Sequence, residues 1–220
     1  MRQISLFCYN IYKGYRGYYI LTRLLFTLLI LIFTTLQAQA LETVKIQYQV
    51  PINFKYLNEQ QISSQAEQYF NQYMKTNDQA SLQKMLSAYC LLTNINKENP
   101  LYFVRVGIAY DKLKNDRYAK SYFCQGMCIE HSYPYTYSAY GDFWFERCRF
   151  RKALSNYLTA NDLGYNSNYE NLVKVGTCFE KLGDYSSAIN FYKKALSIKP
   201  DNQELLIRTQ RLEERLQQNS

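Results

Sequence analysis

Glycine and proline are scarce, eight and four in 220 residues, which argues against a turn-rich sandwich or barrel and favours long helices. Histidine is scarcer still, since His131 stands alone. Cys124, Cys128 and His131 fall at i, i+4 and i+7, one face of a helix and a conceivable three-ligand zinc site. No fourth ligand lies nearby in sequence, however, and the trio sits where small and apolar residues serve packing. No metal or other cofactor is expected. No catalytic residue is expected either, because a Cys–His pair without an oxyanion-hole or orienting motif does not make an active site. Charge of one sign is also missing. The formal net charge is +8, but residues 1–40 hold Arg2, Lys13, Arg16 and Arg23 and no acid. The remainder carries 22 basic and 18 acidic side chains, interspersed, with no basic run to follow a phosphate backbone. Nucleic acid is not an expected partner.

Six cysteines are present. Cys8 lies in the N-terminal leader, leaving Cys90, Cys124, Cys128, Cys148 and Cys178, an odd number at irregular spacings. In a chain long enough to bury a core, they read as small buried hydrophobes with at most one bridge, not as a disulfide framework. What the chain does have is tyrosine, 23 residues of it, giving apolar contact surface with a polar tip.

Leu24 to Leu36 (LLFTLLILIFTTL) is uncharged and apolar, preceded by Arg23 and followed by Gln37-Ala38-Gln39-Ala40. The run is shorter than the roughly 20 residues a membrane-crossing helix needs, and the small residues after it suit signal peptidase. A signal peptide ending at Ala40 is expected, with the mature chain exported to the periplasm or cell surface and meeting the membrane only through that signal. The competing reading is an uncleaved anchor. From Val44 to Tyr56 the pattern alternates: Val44, Ile46, Tyr48, Val50, Ile52, Phe54 and Tyr56 are apolar and the residues between them are not. Period two marks an extended segment with one buried face, and Pro51 makes a central strand unsuitable. With no second strand legible, this segment is expected to lie along the chain's own helices, with Lys45 and Lys55 meeting Asp111 or Asp142.

Beyond residue 100 the sequence repeats. Gly107, Gly141 and Gly176 recur at steps of 34 and 35. Three residues after each comes an aromatic (Tyr110, Trp144, Phe179). Ala119, Ala153 and Ala188 keep the same steps, as do Phe123, Tyr157 and Tyr192, then the small residues Gly126, Ala160 and Ala195. Each unit reads as two antiparallel helices joined at Lys114-Asn115, Cys148-Arg149 or Gly183-Asp184. Small residues let the helices approach, and the aromatics fill the space beside them. Trp144 and the tyrosines read as core. Ile62 to Lys75 and Ala80 to Thr93, with Asn77-Asp78 between them, read as an earlier, degenerate pair. Gln203 to Gln218, with Leu205, Leu206, Leu212 and Leu216 on one stripe, reads as a solvating cap.

This register resembles the tetratricopeptide repeat. The third unit carries the resemblance best, with Gly176, Phe179, Gly183, Tyr185, Ala188, Tyr192, Ala195 and the closing Pro200. The first two depart from it: Asp116 stands where Phe150 and Tyr185 supply the turn aromatic, and His131 and Tyr165 replace the closing proline. The resemblance implies an all-α, right-handed helical-hairpin solenoid with a C-terminal capping helix and a short N-terminal extended segment. The expected organisation is a signal peptide at 1–40, an extended segment at 41–58, a degenerate helix pair at 59–99, three repeats at 100–133, 134–167 and 169–202, and a capping helix and tail at 203–220.

It further implies a protein or peptide partner bound on the concave face of the first helices. By register, the candidate residues there are Val104, Ile108, Asp111, Tyr135, Ser138, Asp142, Phe145, Val173 and Thr177. Lysines and asparagines that clamp a ligand's C-terminal carboxylate in chaperone-binding members are absent at these places. The expected function is a non-enzymatic interaction scaffold or adaptor in the cell envelope. The alternative is an accessory subunit of an envelope enzyme complex.

Overall fold

The structure, a computed structural model, describes Phe54 and residues 56–218. The expected signal peptide and almost all of the alternating segment lie outside the described residues. Those described are helices throughout: α1 (Glu59–Thr76), α2 (Gln79–Ile95), α3 (Pro100–Lys112), α4 (Asp116–Ile129), α5 (Pro134–Glu146), α6 (Phe150–Asp162), α7 (Tyr169–Leu182), α8 (Tyr185–Ile198) and α9 (Gln203–Gln218). Local sequence starts most of them. Asn58, Asp78, Asn99, Asn115, Asn168 and Asp184 each accept a backbone N–H of the first turn, and Asn202 does the same for α9. Such caps satisfy donors that the helix itself leaves unpaired. Pro100 and Pro134 occupy first-turn positions, where a missing N–H costs nothing.

The turn inside each pair has one repeated geometry. Lys114, Cys148 and Gly183 take positive φ angles of 59°, 54° and 84°. The following amide, of Asn115, Arg149 or Asp184, donates to the carbonyl of Tyr110, Trp144 or Phe179. That is a Schellman-type helix end, and the accepting residue is each time the aromatic three places after the repeat glycine. Only the third turn has the glycine that makes a left-handed residue free of strain. In the other two, Lys114 and Cys148 take the same region within the same set of backbone bonds.

The glycines themselves sit in like surroundings. A Cβ built on Gly107 would lie 3.0 Å from the Phe123 ring, on Gly141 2.4 Å from Tyr157, and on Gly176 2.5 Å from Tyr192. The ring in each case is 16 residues on, from the second helix of the same pair, and is almost wholly buried. Ala119, Ala153 and Ala188 are completely buried beside them. Successive pairs then stack, forming an all-α solenoid. Gly126, for example, packs within reach of the side-chain methyls of Thr136 on α5 and Val104 on α3.

The first pair obeys the same rule at a different length. Ala66 is the eighth residue of α1, as Gly107, Gly141 and Gly176 are of α3, α5 and α7. Tyr69 follows it by three, and the Tyr89 hydroxyl donates to Glu67 much as Tyr157 donates to Asp142. Helices α1 and α2 are 18 and 17 residues long, against 13 or 14 in the later pairs. About one extra turn on each, at the turn end, accounts for a first-helix step of 41 residues to α3 in place of 34 or 35.

Some expectations need correcting. Cys90 and Cys178 are buried, but Cys124, Cys128 and Cys148 are exposed. The packing role holds for two, because the other three lie on the solvent side of α4 or in a turn. Trp144 is half-buried, not enclosed. Its ring meets Tyr140 and Phe143 and is covered from outside by the ammonium groups of Lys120 and Lys152 at 5.3 and 4.4 Å. Asp116, missing the turn aromatic, bonds Arg147 of the next pair.

Adding a methyl group at the repeat glycines tests the ring contact. Gly141→Ala and Gly176→Ala should each destabilise by about 1–3 kcal/mol despite the gain in helix propensity. Gly126→Ala, whose Cβ would meet the Thr136 and Val104 methyls at 3.3 and 3.4 Å and the Pro100 carbonyl at 3.6 Å, should change urea-unfolding stability by less than about 1 kcal/mol.

Candidate binding groove on the first helices

Five of the nine residues expected at a binding face come together. Ile108, Asp111, Tyr135, Asp142 and Phe145 line a groove of about 360 Å³, together with Phe70, Met74, Lys112, Phe123, Ala139 and Glu146. Its walls are the first helices α1, α3 and α5, with the Phe123 ring at the base. Val104 and Ser138 do not take part. Both are buried, Val104 against α4 at Gly126, because the repeat stacks that side of the helix on its neighbours. Asp111 touches the groove but is itself 5 % exposed. Val173 and Thr177 are half-buried on α7, outside this groove. There the Thr177 hydroxyl donates to the Val173 carbonyl and accepts from Tyr192. Phe70 and Met74 were missed. Both belong to the degenerate pair, and the 41-residue offset hides their register.

Ion pairs run along these helices, joining each to the next. Glu67 on α1 meets Arg105 on α3 at 2.7 Å. Lys112 meets Glu146 34 residues on, in α5. Asp142 meets Lys174 on α7 at 2.8 Å, and Glu180 meets Arg208 on α9 at 2.8 Å. Arg105 also stacks 3.5 Å over the Phe70 ring and donates to the Tyr135 hydroxyl. Burial pushes the Tyr135 phenol up to about 12, the positive charge of Arg105 working the other way. Arg147, at the end of α5, lies 3.6 Å over the Phe143 ring and holds both Asp111 and Asp116. Burial raises the Asp111 carboxyl above the usual range, and the hydrogen bond from Arg147 opposes it. Burial acts to lower Lys112, but its bond to Glu146 and the nearby carboxylates outweigh that, so it titrates above an ordinary lysine. Among the described residues no group of histidine, cysteine or acid side chains is placed to hold a metal ion.

A hollow between α1, α3 and α5, walled by apolar side chains and bridged by ion pairs, defines a helical-hairpin solenoid of the kind that binds other proteins. The tetratricopeptide repeat family profile matches residues 173–202, from the fifth residue of α7 through α8 to the residue before α9. No curated protein matches the sequence. PilF of Pseudomonas aeruginosa shares the fold at a TM-score of 0.60 and 11 % identity, over 71 % of each chain. MamA of Desulfovibrio magneticus RS-1, from residue 41 to its end, gives 0.55 at 14 % identity over 69 % of this chain and 85 % of its own. The first tetratricopeptide array of Spaghetti (RPAP3), bound to the HSP90 peptide SRMEEVD, gives 0.50 at 20 % identity over 55 % and 95 %. Residues 173–202 thus match a tetratricopeptide repeat, and the described residues share the fold of such arrays. Such arrays are generally interaction scaffolds without catalysis of their own.

Arg147 gives the sharpest test of this network. Arg147→Gln leaves the buried Asp111 with only the more distant Lys112 ammonium, 3.9 Å away, and should cost about 3 kcal/mol at neutral pH. In that variant the folded-state pKa of Asp111 lies further above its unfolded value, so the folded chain binds the extra proton. Stability should therefore recover as pH falls from about 7 towards 4, and Asp111→Asn in the same chain should remove that pH dependence in denaturant titrations.

Proposed function

We propose that this chain is an exported scaffold that holds a segment of a partner protein in the groove of α1, α3 and α5. The observation that carries this reading is the convergence of Ile108, Tyr135 and Phe145 with Phe70 and Met74 in one open hollow. Apolar side chains of a folded domain are normally covered, and Met74 is 60 % exposed. A structurally similar array is bound to a peptide, which supports the same use here. The leader sequence supports a place in the cell envelope, either periplasmic or at the cell surface. Among the described residues no helix is long and apolar enough to cross a membrane. The second reading, an accessory subunit of an envelope enzyme complex, uses the same groove with an enzyme as the partner.

Two experiments bear on this. N-terminal sequencing of the protein recovered from cells should begin at Leu41; an intact leader on the mature chain would remove the export reading in its cleaved form. A photo-crosslinking side chain at Ile108 should trap a partner that the same side chain at Ser121, exposed on α4, does not. Equal labelling from both positions would count against the groove.

A further inference from the structure

We propose that the groove takes an apolar segment flanked by lysine or arginine, and that an acidic peptide C-terminus is not its ligand. This rests on the groove being the binding site. The inference comes from the direction in which the ion pairs face. Glu67 is 39 % exposed and its partner Arg105 10 %. Glu146 is 38 % exposed and Lys112 27 %. Asp142 is 45 % exposed and Lys174 35 %. In these three pairs the cation is the less exposed member and the carboxylate the more exposed one; Asp111, buried beneath Lys112 and Arg147, has the opposite order. At the far end, where Arg208 meets Glu180, the cation is again the more exposed member.

An incoming carboxylate approaching Lys112 would meet Glu146 and Asp111 in the same place, both already bound to that ammonium. One approaching Arg105 would meet Glu67, with the guanidinium pinned between the Phe70 ring and the Tyr135 hydroxyl. Like charges at such range repel, and displacing the internal acid would leave it unpaired. A partner's lysine or arginine meets the opposite situation. Each carboxylate has four lone-pair sites and is more exposed than its internal cation, and Asp142 and Glu146 line the groove. Apolar side chains on the partner would fill the hollow between Phe70, Ile108, Tyr135 and Phe145, and its cations would lie over Asp142 and Glu146. Charge complementarity of this kind sets which partner is admitted more than how tightly it is held.

Two synthetic amphipathic peptides with the same leucine and phenylalanine face, one with lysine and one with glutamate at the polar positions, test this against the full chain. The protein is net positive even without its leader, so diffuse attraction favours the glutamate peptide and cannot imitate the expected result. The lysine peptide should bind about tenfold tighter, and the preference should shrink in high salt and in Asp142→Asn/Glu146→Gln. Phe145→Ala should weaken its binding. So should Met74→Lys, an exposed change that does not threaten folding. Equal or tighter binding of the glutamate peptide, still weakened by Phe145→Ala, would overturn the charge assignment and leave the groove standing. Binding of neither peptide, or binding indifferent to both groove variants, would overturn the groove itself.

Discussion

Helix pairs in this protein exist because a glycine in the first helix makes room for an aromatic ring from the second. With a Cβ at Gly141 or Gly176 the ring of Tyr157 or Tyr192 would be some 2.5 Å away, well inside contact distance. That close approach fixes the spacing of the two helices, and the spacing determines where everything else falls. The ring's hydroxyl reaches across to the residue after the glycine, Asp142 or Thr177, so the same contact that packs the pair also orients a polar side chain on the first helix. Phe123 fills the equivalent place in the second pair without a hydroxyl, and its ring instead forms the base of the groove.

From that packing comes the inner face. First helices set side by side bring residues about one repeat apart within bonding distance, as Lys112 and Glu146 show. Individually such exposed pairs contribute little to stability, about 0–1 kcal/mol each. Their effect on recognition is larger. They occupy the cations that a carboxylate-binding array would offer to its ligand, and they leave carboxylates outermost beside an apolar hollow. Arg147 is the exception in energy: it is tied to a buried Asp111, with its flat face on Phe143, and here the network bears on folding as well as on charge.

Much of the fold could be read from residue spacing, for a physical reason. A ring that needs a glycine opposite it leaves both residues in the sequence at a constant separation, and three copies of that separation are hard to produce otherwise. The degenerate pair was harder to read because its helices are about a turn longer: Ala66 replaces the glycine and the separation to its ring grows from 16 residues to 23. The candidate site was less legible still. Register identified the first helices and named Ile108, Asp111, Tyr135, Asp142 and Phe145, which the structure brings into one hollow, but it could not tell a residue facing solvent from one facing the neighbouring pair. Val104 and Ser138 share a helix with groove residues and are buried all the same.

The sequence by itself determined the helix starts, the turns, the pairing of helices and the class of protein, since caps, small residues and rings act on neighbours within about 40 residues. Only the tertiary structure decided the groove. Its walls come from three different pairs, and the exposure of a carboxylate relative to its cation depends on how those pairs stack. No spacing along the chain encodes which member of an ion pair lies nearer the water.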